Sequence, residues 1–382
     1  MTFKNIILLG ATGSIGTSTL NLIRQKREKF NLIGISAFKK TEQLKLISKE
    51  FNVKNVCFFK NDKDITFDKD IKVMKGFEGL LELASLDCDI VVSGIAGLAG
   101  LMPAYVALNN GNHIAIANKE PLVVAGNILK ECSKKNNVNI LPVDSEHNSI
   151  FQCFDNSQRE NISHITLTAS GGPFLNRSFN SFNDITIEEA LKHPNWEMGK
   201  KISIDSATLI NKALEVIEAG YLFELNANQI QVVIHPESII HGLVHYKDGS
   251  VLANLALPDM ISPLSVAIGY PERYNLNLPR LNLPEISQLN FLKPDLQKFP
   301  GLNFGWNALN GPNYISIILN AANEIAVDLF LKKRINFTNI VEIIDKCLND
   351  QNFNPANNLE DILEIDKKSR NFAIKISEKF YV

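Results

Sequence analysis

Cysteine is sparse in this 382-residue chain: Cys57, Cys88, Cys132, Cys153 and Cys347 are odd in number, scattered, and nowhere form a C-x-x-C pair. A disulfide framework or a thiolate zinc site is therefore not what organises the fold, and a reducing compartment fits best. A surplus of charge is missing too, with 39 Lys+Arg against 41 Asp+Glu. Without a basic excess to displace counterions, nucleic acid is not expected as a partner. The apolar run Ile6–Leu9 is too short for the core of a signal peptide and no cleavage pattern follows it. One long stretch, 90–118, carries no charged residue, but Gly94, Gly97, Gly100, Pro103 and Gly111 interrupt it. It reads better as strand, turn, helix and strand than as a bilayer span. The expectation is a cytoplasmic protein with no membrane partner, too long for one core and built from two or three domains.

What is present begins at residue 5. Asn5–Leu9 has the unbroken apolar character of a buried parallel strand, and the turn Gly10-Ala11-Thr12-Gly13-Ser14-Ile15-Gly16 leads into a helical pattern through Leu20, Ile23 and Lys26. Strand and helix then keep alternating. In that setting G-x-x-G-x-x-G reads as a dinucleotide turn, whose glycines let backbone approach a pyrophosphate at a helix N-terminus. Gly10, Thr12, Gly13, Ser14, Ile15 and Gly16 are the expected cofactor contacts. The second strand, Asn31–Ala37, is followed by Phe38-Lys39-Lys40 and no carboxylate. An acidic residue there would hold the ribose hydroxyl of NAD, so the basic Lys39 and Lys40 favour NADP(H), with Ala37 beside them as a contact; two exposed lysines read equally as a solvated loop. Later strands end at 93–97 and at Asn118-Lys119-Glu120, which adds those three residues to the cofactor candidates.

The middle third holds two clusters about sixty residues apart. Asp144-Ser145-Glu146 closes an apolar strand (Asn139–Val143), and in an extended segment Asp144 and Glu146 point the same way. Thr208, Asn211, Lys212 and Glu215 follow i, i+3, i+4, i+7 spacing and share one face of a later helix, with Leu209, Ala213, Val216 and Ile217 opposite. If the two faces meet, three carboxylates converge, and hard oxygen ligands suit Mg²⁺ or Mn²⁺. A solvated helix face beside an unrelated acidic turn explains either cluster alone. Asp205 or Ser206 is expected as the N-cap of that helix, and Ser206 with Asn211 and Lys212 also makes a phosphate site.

Around these clusters lie other candidates. Ser170-Gly171-Gly172 after the strand Ile162–Leu167 offers a hydroxyl and bare amides. The segment 193–201, with His193, Trp196, Met198 and Gly199, reads equally as a mobile lid or as a loop pinned by Trp196. His241 and His245 precede a hairpin turn, Lys247-Asp248-Gly249-Ser250, and could be catalytic, although a lone histidine is more often a structural residue. A helix is expected after Met260 as far as Gly269, a proline-marked linker after that, and helical spacing over 315–332, 340–348 and 362–379.

Taken together, GATGSIG, ANKE, PVDSEHNSIFQ, SGGPF, HPNWEMGKKISIDSATLINKALEVIEA, IHPESIIHG and ILNAANEIAV resemble the 1-deoxy-D-xylulose 5-phosphate reductoisomerase family over nearly the whole chain. The resemblance implies an α/β protein with an N-terminal Rossmann-like NADPH domain (1–143), a central α+β catalytic domain (144–269, lid 193–201), a linker (270–295) and a C-terminal helical bundle (296–382), assembled as a homodimer. It implies Asp144, Glu146 and Glu215 as ligands of Mg²⁺ or Mn²⁺. Ser170, Ser206, Asn211 and Lys212 would hold the substrate phosphate, and Ser145 and Glu146 its carbon chain. Glu146, Lys212, His193 and His241 are implied as catalytic, Trp196 and Met198 as lid residues over the substrate, and Gly199 and Met260 as further cofactor contacts. The implied substrate is 1-deoxy-D-xylulose 5-phosphate, rearranged on the cation and reduced by NADPH to 2-C-methyl-D-erythritol 4-phosphate. Phe38 and Lys40 depart from the family pattern, where Gly and Asn are usual; Pro121 and Glu237 depart as well, and no metal or phosphate ligand does.

Overall fold

The computed structural model describes residues 3–60, 65–196 and 198–381. It divides into two compact units, the first made of Met1–Pro121, Leu129–Asn148 and Asp259–Pro279, the second of Leu122–Ile128, Ser149–Pro258 and Arg280–Val382. Strands of the first unit are β1 (Lys4–Leu9), β2 (Phe30–Ala37), β3 (Asn55–Phe58), β4 (Lys72–Lys75), β5 (Ile90–Ser93), β6 (His113–Ile116) and β7 (Ile140–Pro142). Those of the second are β8 (Ile162–Ala169), β9 (Ile230–Ile234), β10 (Ile240–Tyr246) and β11 (Val251–Leu255). Helices follow in chain order as α1 (Ser14–Gln25), α2 (Thr41–Phe51), α3 (Gly76–Ala84), α4 (Leu101–Asn109), α5 (Glu120–Lys135), α6 (Ser145–Cys153), α7 (Ile187–Ala190) and α8 (Lys200–Ala207). They continue with α9 (Ile210–Phe223), α10 (Ile261–Gly269), α11 (Leu283–Ile286), α12 (Asn303–Asn310), α13 (Tyr314–Leu331), α14 (Phe337–Asp350) and α15 (Leu359–Ser377).

In the first unit seven parallel strands run in the order β4-β3-β2-β1-β5-β6-β7. The strand β1 is central, and Ile6, Ile7, Leu8 and Leu9 have no solvent exposure; covered on both faces, it has no room for a polar alternation. The chain leaves β1 toward β2 on one side and later returns to β5 on the other. The crevice at such a reversal, at the carboxyl ends of the strands, is where open α/β sheets bind ligands. Residues 90–118 form β5, α4 and β6, so the uncharged stretch is buried sheet and helix. Helix α10 packs back against α1. The Lys4 ammonium donates to the carbonyls of Ile268, Gly269 and Tyr270 at 3.3, 3.0 and 2.7 Å, so a cation caps the negative end of that helix.

The second unit holds a mixed sheet in the order β11-β10-β8-β9, with β9 parallel to β8 and the other pairs antiparallel. Its inner face packs Ile165, Leu167 and Val244 on Val216, Ala219 and Phe223 of α9. The hairpin turn forms at 247–250, where Gly249 takes φ +90° and the Asp248 carboxylate accepts from the Ser250 amide at 2.8 Å. Helices α13, α14 and α15 pack together as a bundle. Among the described residues α13 alone is long and apolar enough to cross a membrane, and most of it is buried inside that bundle.

Candidate functional site

The turn after β1 is shaped by its glycines. Gly10 has φ +85°, and a Cβ there would sit 2.7 Å from the Gly94 carbonyl oxygen. A Cβ on Gly16 would lie 2.4 Å from the Gly10 oxygen, so the first turn of α1 can close on the loop only without a side chain. Gly10 donates to the Ser36 hydroxyl at 3.0 Å and Ala11 to the Ser36 carbonyl at 2.8 Å, which ties the turn to the end of β2. Gly13 caps α1 with no side-chain bond. The loop and the helix start thus present backbone rather than side chains, as a pyrophosphate requires. Thr12 and Ile15 are half-buried at this turn, and Ser14 is exposed. Ala37 is buried, whereas Lys39 and Lys40 are exposed just beyond it; the Lys40 ammonium lies 3.5 Å from the Thr12 carbonyl. These residues fit an NADP-type dinucleotide.

Asn118, Lys119 and Glu120 lie where β6 gives way to α5. Lys119 is only 5% exposed and pairs with the Asp144 carboxylate at 2.7 Å. Its charge therefore serves the acidic cluster of the same unit. That cluster is built differently from the sequence expectation. Strand β7 stops at Pro142, and Ser145 opens α6, so Glu146 belongs to a helical first turn. The period-two argument for Asp144 and Glu146 fails here, because a helix N-terminus favours carboxylates in its first turn. The Ser145 hydroxyl donates to the Glu146 carboxylate at 2.5 Å. His147, fully buried 3.9 Å from the Asp144 carboxylate, went unnoticed in the sequence; its i+3 spacing from Asp144 was the available signal. Met260 is half-buried just before α10 in this unit.

In the second unit the expected single polar helix is two. Helix α8 ends at Ala207 and α9 begins at Ile210, with Leu209 between them at φ +58°. The Thr208 hydroxyl folds back onto the Ile204 and Asp205 carbonyls at 3.2 and 3.1 Å and receives the Ile210 amide at 3.4 Å, which stabilises the break. Asp205 and Ser206 accordingly end α8 and do not cap α9. Asp205 is 1% exposed and is held by Lys201 at 2.7 Å and Asn323 at 2.9 Å.

Helix α9 is buried nearly all round. Lys212 is 3% exposed and Glu215 not at all. The Glu215 carboxylate receives the Lys212 ammonium and the Asn211 amide. No bland surface face is left: burying a carboxylate is tolerated only with such partners or a cation. An all-oxygen donor set made of carboxylates fits Mg²⁺ or Mn²⁺ chemically. Two of those carboxylates, Asp144 and Glu146, belong to the first unit and Glu215 to the second.

After β8 the chain turns through Gly171 and Gly172, at φ +85° and +68°. A Cβ on Gly172 would be 2.8 Å from the Ser206 carbonyl, so this turn rests on the end of α8 and brings the Ser170 and Ser206 segments together. The Gly172 amide donates to the Ser170 hydroxyl oxygen at 3.2 Å. His193 Nδ1 accepts from the Asn195 and Trp196 amides at 3.2 and 2.9 Å. Its proton is then on Nε2, 2.9 Å from the Ser170 oxygen. Asn195 ties the same loop to the Pro236 carbonyl at 2.6 Å and the Ser238 hydroxyl at 2.8 Å. The half-buried Trp196 ring stands 6.1 Å from that of His241, whose Nε2 donates to the Ala256 carbonyl at 3.2 Å. Met198 is half-buried and Gly199 caps α8; Glu197 of the expected lid lies outside the described residues. A cleft of about 490 Å³ beside Ser170 is lined by Pro194, Pro236, Lys192 and Arg177.

A family model for 1-deoxy-D-xylulose 5-phosphate reductoisomerase matches residues 6–126, one for its C-terminal domain matches 140–223, and one for the DXP reductoisomerase C-terminal domain matches 255–372. A 1-deoxy-D-xylulose 5-phosphate reductoisomerase from Clostridium tetani is 48% identical over 372 residues, covering 95% of this chain and 97% of the relative. The chain belongs to the 1-deoxy-D-xylulose 5-phosphate reductoisomerase family. Another member, from Thermoanaerobacter pseudethanolicus, is 44% identical with 99% of both chains covered. The reductoisomerase of Zymomonas mobilis, solved with NADPH, superposes with a TM-score of 0.93 at 36% identity, covering 99% of this chain and all of the other. A DOX-P reductoisomerase solved with NADPH, fosmidomycin and magnesium gives 0.92 at 40% identity, with 98% of each chain covered. The Rossmann-like first unit and helical C-terminal region are thus the architecture of this family.

Proposed function

We propose that Asp144, Glu146 and Glu215 hold the divalent cation, that Ser170, Ser206, Asn211 and Lys212 hold the substrate phosphate, and that the β1–α1 turn with Ala37, Lys39 and Lys40 holds NADPH. As a member of its family the chain is an NADP-dependent oxidoreductase: it converts 1-deoxy-D-xylulose 5-phosphate to 2-C-methyl-D-erythritol 4-phosphate for isoprenoid biosynthesis, using NADPH and a divalent metal. Bound, the cation supplies Lewis-acid polarisation of substrate oxygens and NADPH supplies the hydride.

The observation that carries the site assignment is Glu215, a carboxylate without solvent exposure, gripped by Lys212 and Asn211 on a helix that follows Ser206 within one break. Lys212 and Asn211 orient that carboxylate, and Lys119 orients Asp144. The Ser170 oxygen already accepts two N–H groups, from His193 and Gly172, so its own hydrogen is directed to a substrate phosphate oxygen. That phosphate supplies remote binding energy that orients the reacting carbons. In this reading Trp196 and Met198 close over the substrate with His193 as the hinge-side anchor, keeping water from a reactive intermediate. Ser145 and Glu146 contact the carbon chain, and Glu146, Lys212, His193 and His241 are the catalytic group. Asn118, Lys119, Glu120, Gly199 and Met260 complete the cofactor surroundings. Two subunits are expected to pair, supported by the apolar outer strand β11, where Val251, Leu252 and Leu255 are exposed. A cytoplasmic setting is supported by the free cysteines, of which Cys57 and Cys347 are fully buried.

The test is NADPH oxidation, followed by its near-ultraviolet absorbance, with 1-deoxy-D-xylulose 5-phosphate in the presence and absence of Mg²⁺ or Mn²⁺. Metal-dependent turnover that is lost in Glu215→Gln supports the assignment. A plain dehydrogenase needs no three-carboxylate site, so metal-independent reduction would remove it.

A further inference from the structure

Phe38 is the most exposed phenylalanine among the described residues, at 57%. It sits just past β2, where a dinucleotide-binding sheet reads the ribose 2′ substituent. Its ring leans on Phe59, with centroids 5.6 Å apart, and Phe59 in turn meets Phe77 at 6.4 Å. The inner edge is therefore supported while much of the ring remains open to water. Two cations attend it: the ammonium groups of Lys39 and Lys60 lie 5.8 and 5.9 Å from the ring centroid. The Lys60 amide donates to the Phe38 carbonyl at 2.8 Å, which ties the segment after β3 to this position. Lys40 completes the group, reaching back to the Thr12 carbonyl of the glycine turn at 3.5 Å. An exposed ring flanked by two ammonium groups, with a third at the neighbouring glycine turn, offers a π face and positive charge in one place.

We propose that Phe38 is a stacking platform for the adenine of NADPH and that Lys60 joins Lys39 and Lys40 in reading its 2′-phosphate. The proposal rests on the cofactor reading of the β1–α1 turn. Every purine has a π face that stacks on an aromatic ring, and alanine substitution at such platforms weakens binding severalfold to over a hundredfold. A dianionic phosphate draws lysine ammonium groups by point charge, without the fork geometry of arginine. Phe38 and Lys60 then divide the work: the ring binds any adenosine, and the cation distinguishes NADPH from NADH.

The experiment is equilibrium binding of two fragments, 2′,5′-ADP and 5′-AMP, to the full-length protein by calorimetry. Phe38→Ala should weaken both by about tenfold, and Phe38→Trp should restore them. Lys60→Ala should weaken 2′,5′-ADP by about tenfold and leave 5′-AMP unchanged. Circular dichroism and the melting temperature confirm that each variant is folded. Unchanged binding of both fragments by Phe38→Ala overturns the platform, and equal loss of both by Lys60→Ala overturns the phosphate role. Wild-type protein that binds neither fragment removes the cofactor reading itself.

Discussion

Glu215→Gln preserves the volume of a side chain with no solvent exposure and deletes only its charge. Two donors, Lys212 and Asn211, then compete for one amide oxygen, and the buried Lys212 loses the charge of the Glu215 carboxylate. A charge-assisted hydrogen bond is worth about 1.5–3 kcal/mol, and fully breaking a buried pair costs about 3–5 kcal/mol. Because glutamine still accepts one bond, the lower range applies, and the variant should fold with a lowered melting temperature. The larger effect is on the cation. An ion at a hundred times its Kd stabilises the native state by about 2.7 kcal/mol, so wild-type protein should melt higher when Mg²⁺ is added. Losing one of three carboxylates should abolish most of that increment. Turnover should fall about a thousandfold, since the cation's polarisation is worth several kcal/mol. The proposed pyrophosphate turn after β1 lies in the first unit and has no side-chain bond to Glu215, so NADPH affinity should stay within about twofold. Steady-state kinetics, thermal melts with and without Mg²⁺, and NADPH fluorescence titration read these three effects separately. An undiminished Mg²⁺ increment in the variant would show that Glu215 is no ligand. Parallel loss of turnover and NADPH affinity would show damage to the fold instead.

Ser170→Ala removes the hydroxyl that links His193 to Gly172; KM for the phosphorylated substrate should rise about tenfold, more than kcat falls, and an unchanged KM argues against the phosphate role. Lys4→Met strips three donors from the end of α10 and should lower unfolding stability by about 1–3 kcal/mol in a guanidinium titration, an unaltered midpoint counting against the cap. Asn323→Leu deprives buried Asp205 of a 2.9 Å bond and should cost about 1–3 kcal/mol, with Lys201 still paired to Asp205; wild-type thermal stability would contradict this. His164 and His245 face each other across β8 and β10 with rings stacked at 4.1 Å. Burial lowers both pKa values from 6.5, and for His245 the neighbouring imidazole lowers it further. The unfolded chain then takes up protons first, so stability is full above about pH 6.5 and falls as pH drops through the window beneath it. A double substitution to phenylalanine should flatten the melting temperature across that window, and an unchanged pH slope would dismiss the pair as its source.

How much of this was readable from residues alone depends on what each pattern reports. The β1 run with its glycine turn was legible because central parallel strands have no polar face and positive φ with close approach leaves only glycine. The hairpin turn at 247–250 was legible for the same kind of reason. The break between α8 and α9 was not. Thr208-Leu209-Ile210 has unbroken helical spacing, and the break lies in the positive φ of Leu209 and the Thr208 hydroxyl's return to its own backbone, which spacing does not record. The end of β7 misled differently: Asp144 to Glu146 reads as an alternating strand, yet the chain had already entered α6. Helix α9 shows where periodicity reaches its limit. A row of Asn211, Lys212 and Glu215 has the same spacing whether it faces water or a buried ionic site, because periodicity records residue type and not surroundings. The charges themselves were the ambiguous sign. Lys212 and Glu215 are buried because each satisfies the other, a pairing that a surface helix would make at i, i+3 as well. Their depth comes from α12 packing over α9, a contact between segments about ninety residues apart that no local window contains. The motif resemblance carried the assignment across that gap, since a family pattern stores tertiary context that a single chain's spacing does not.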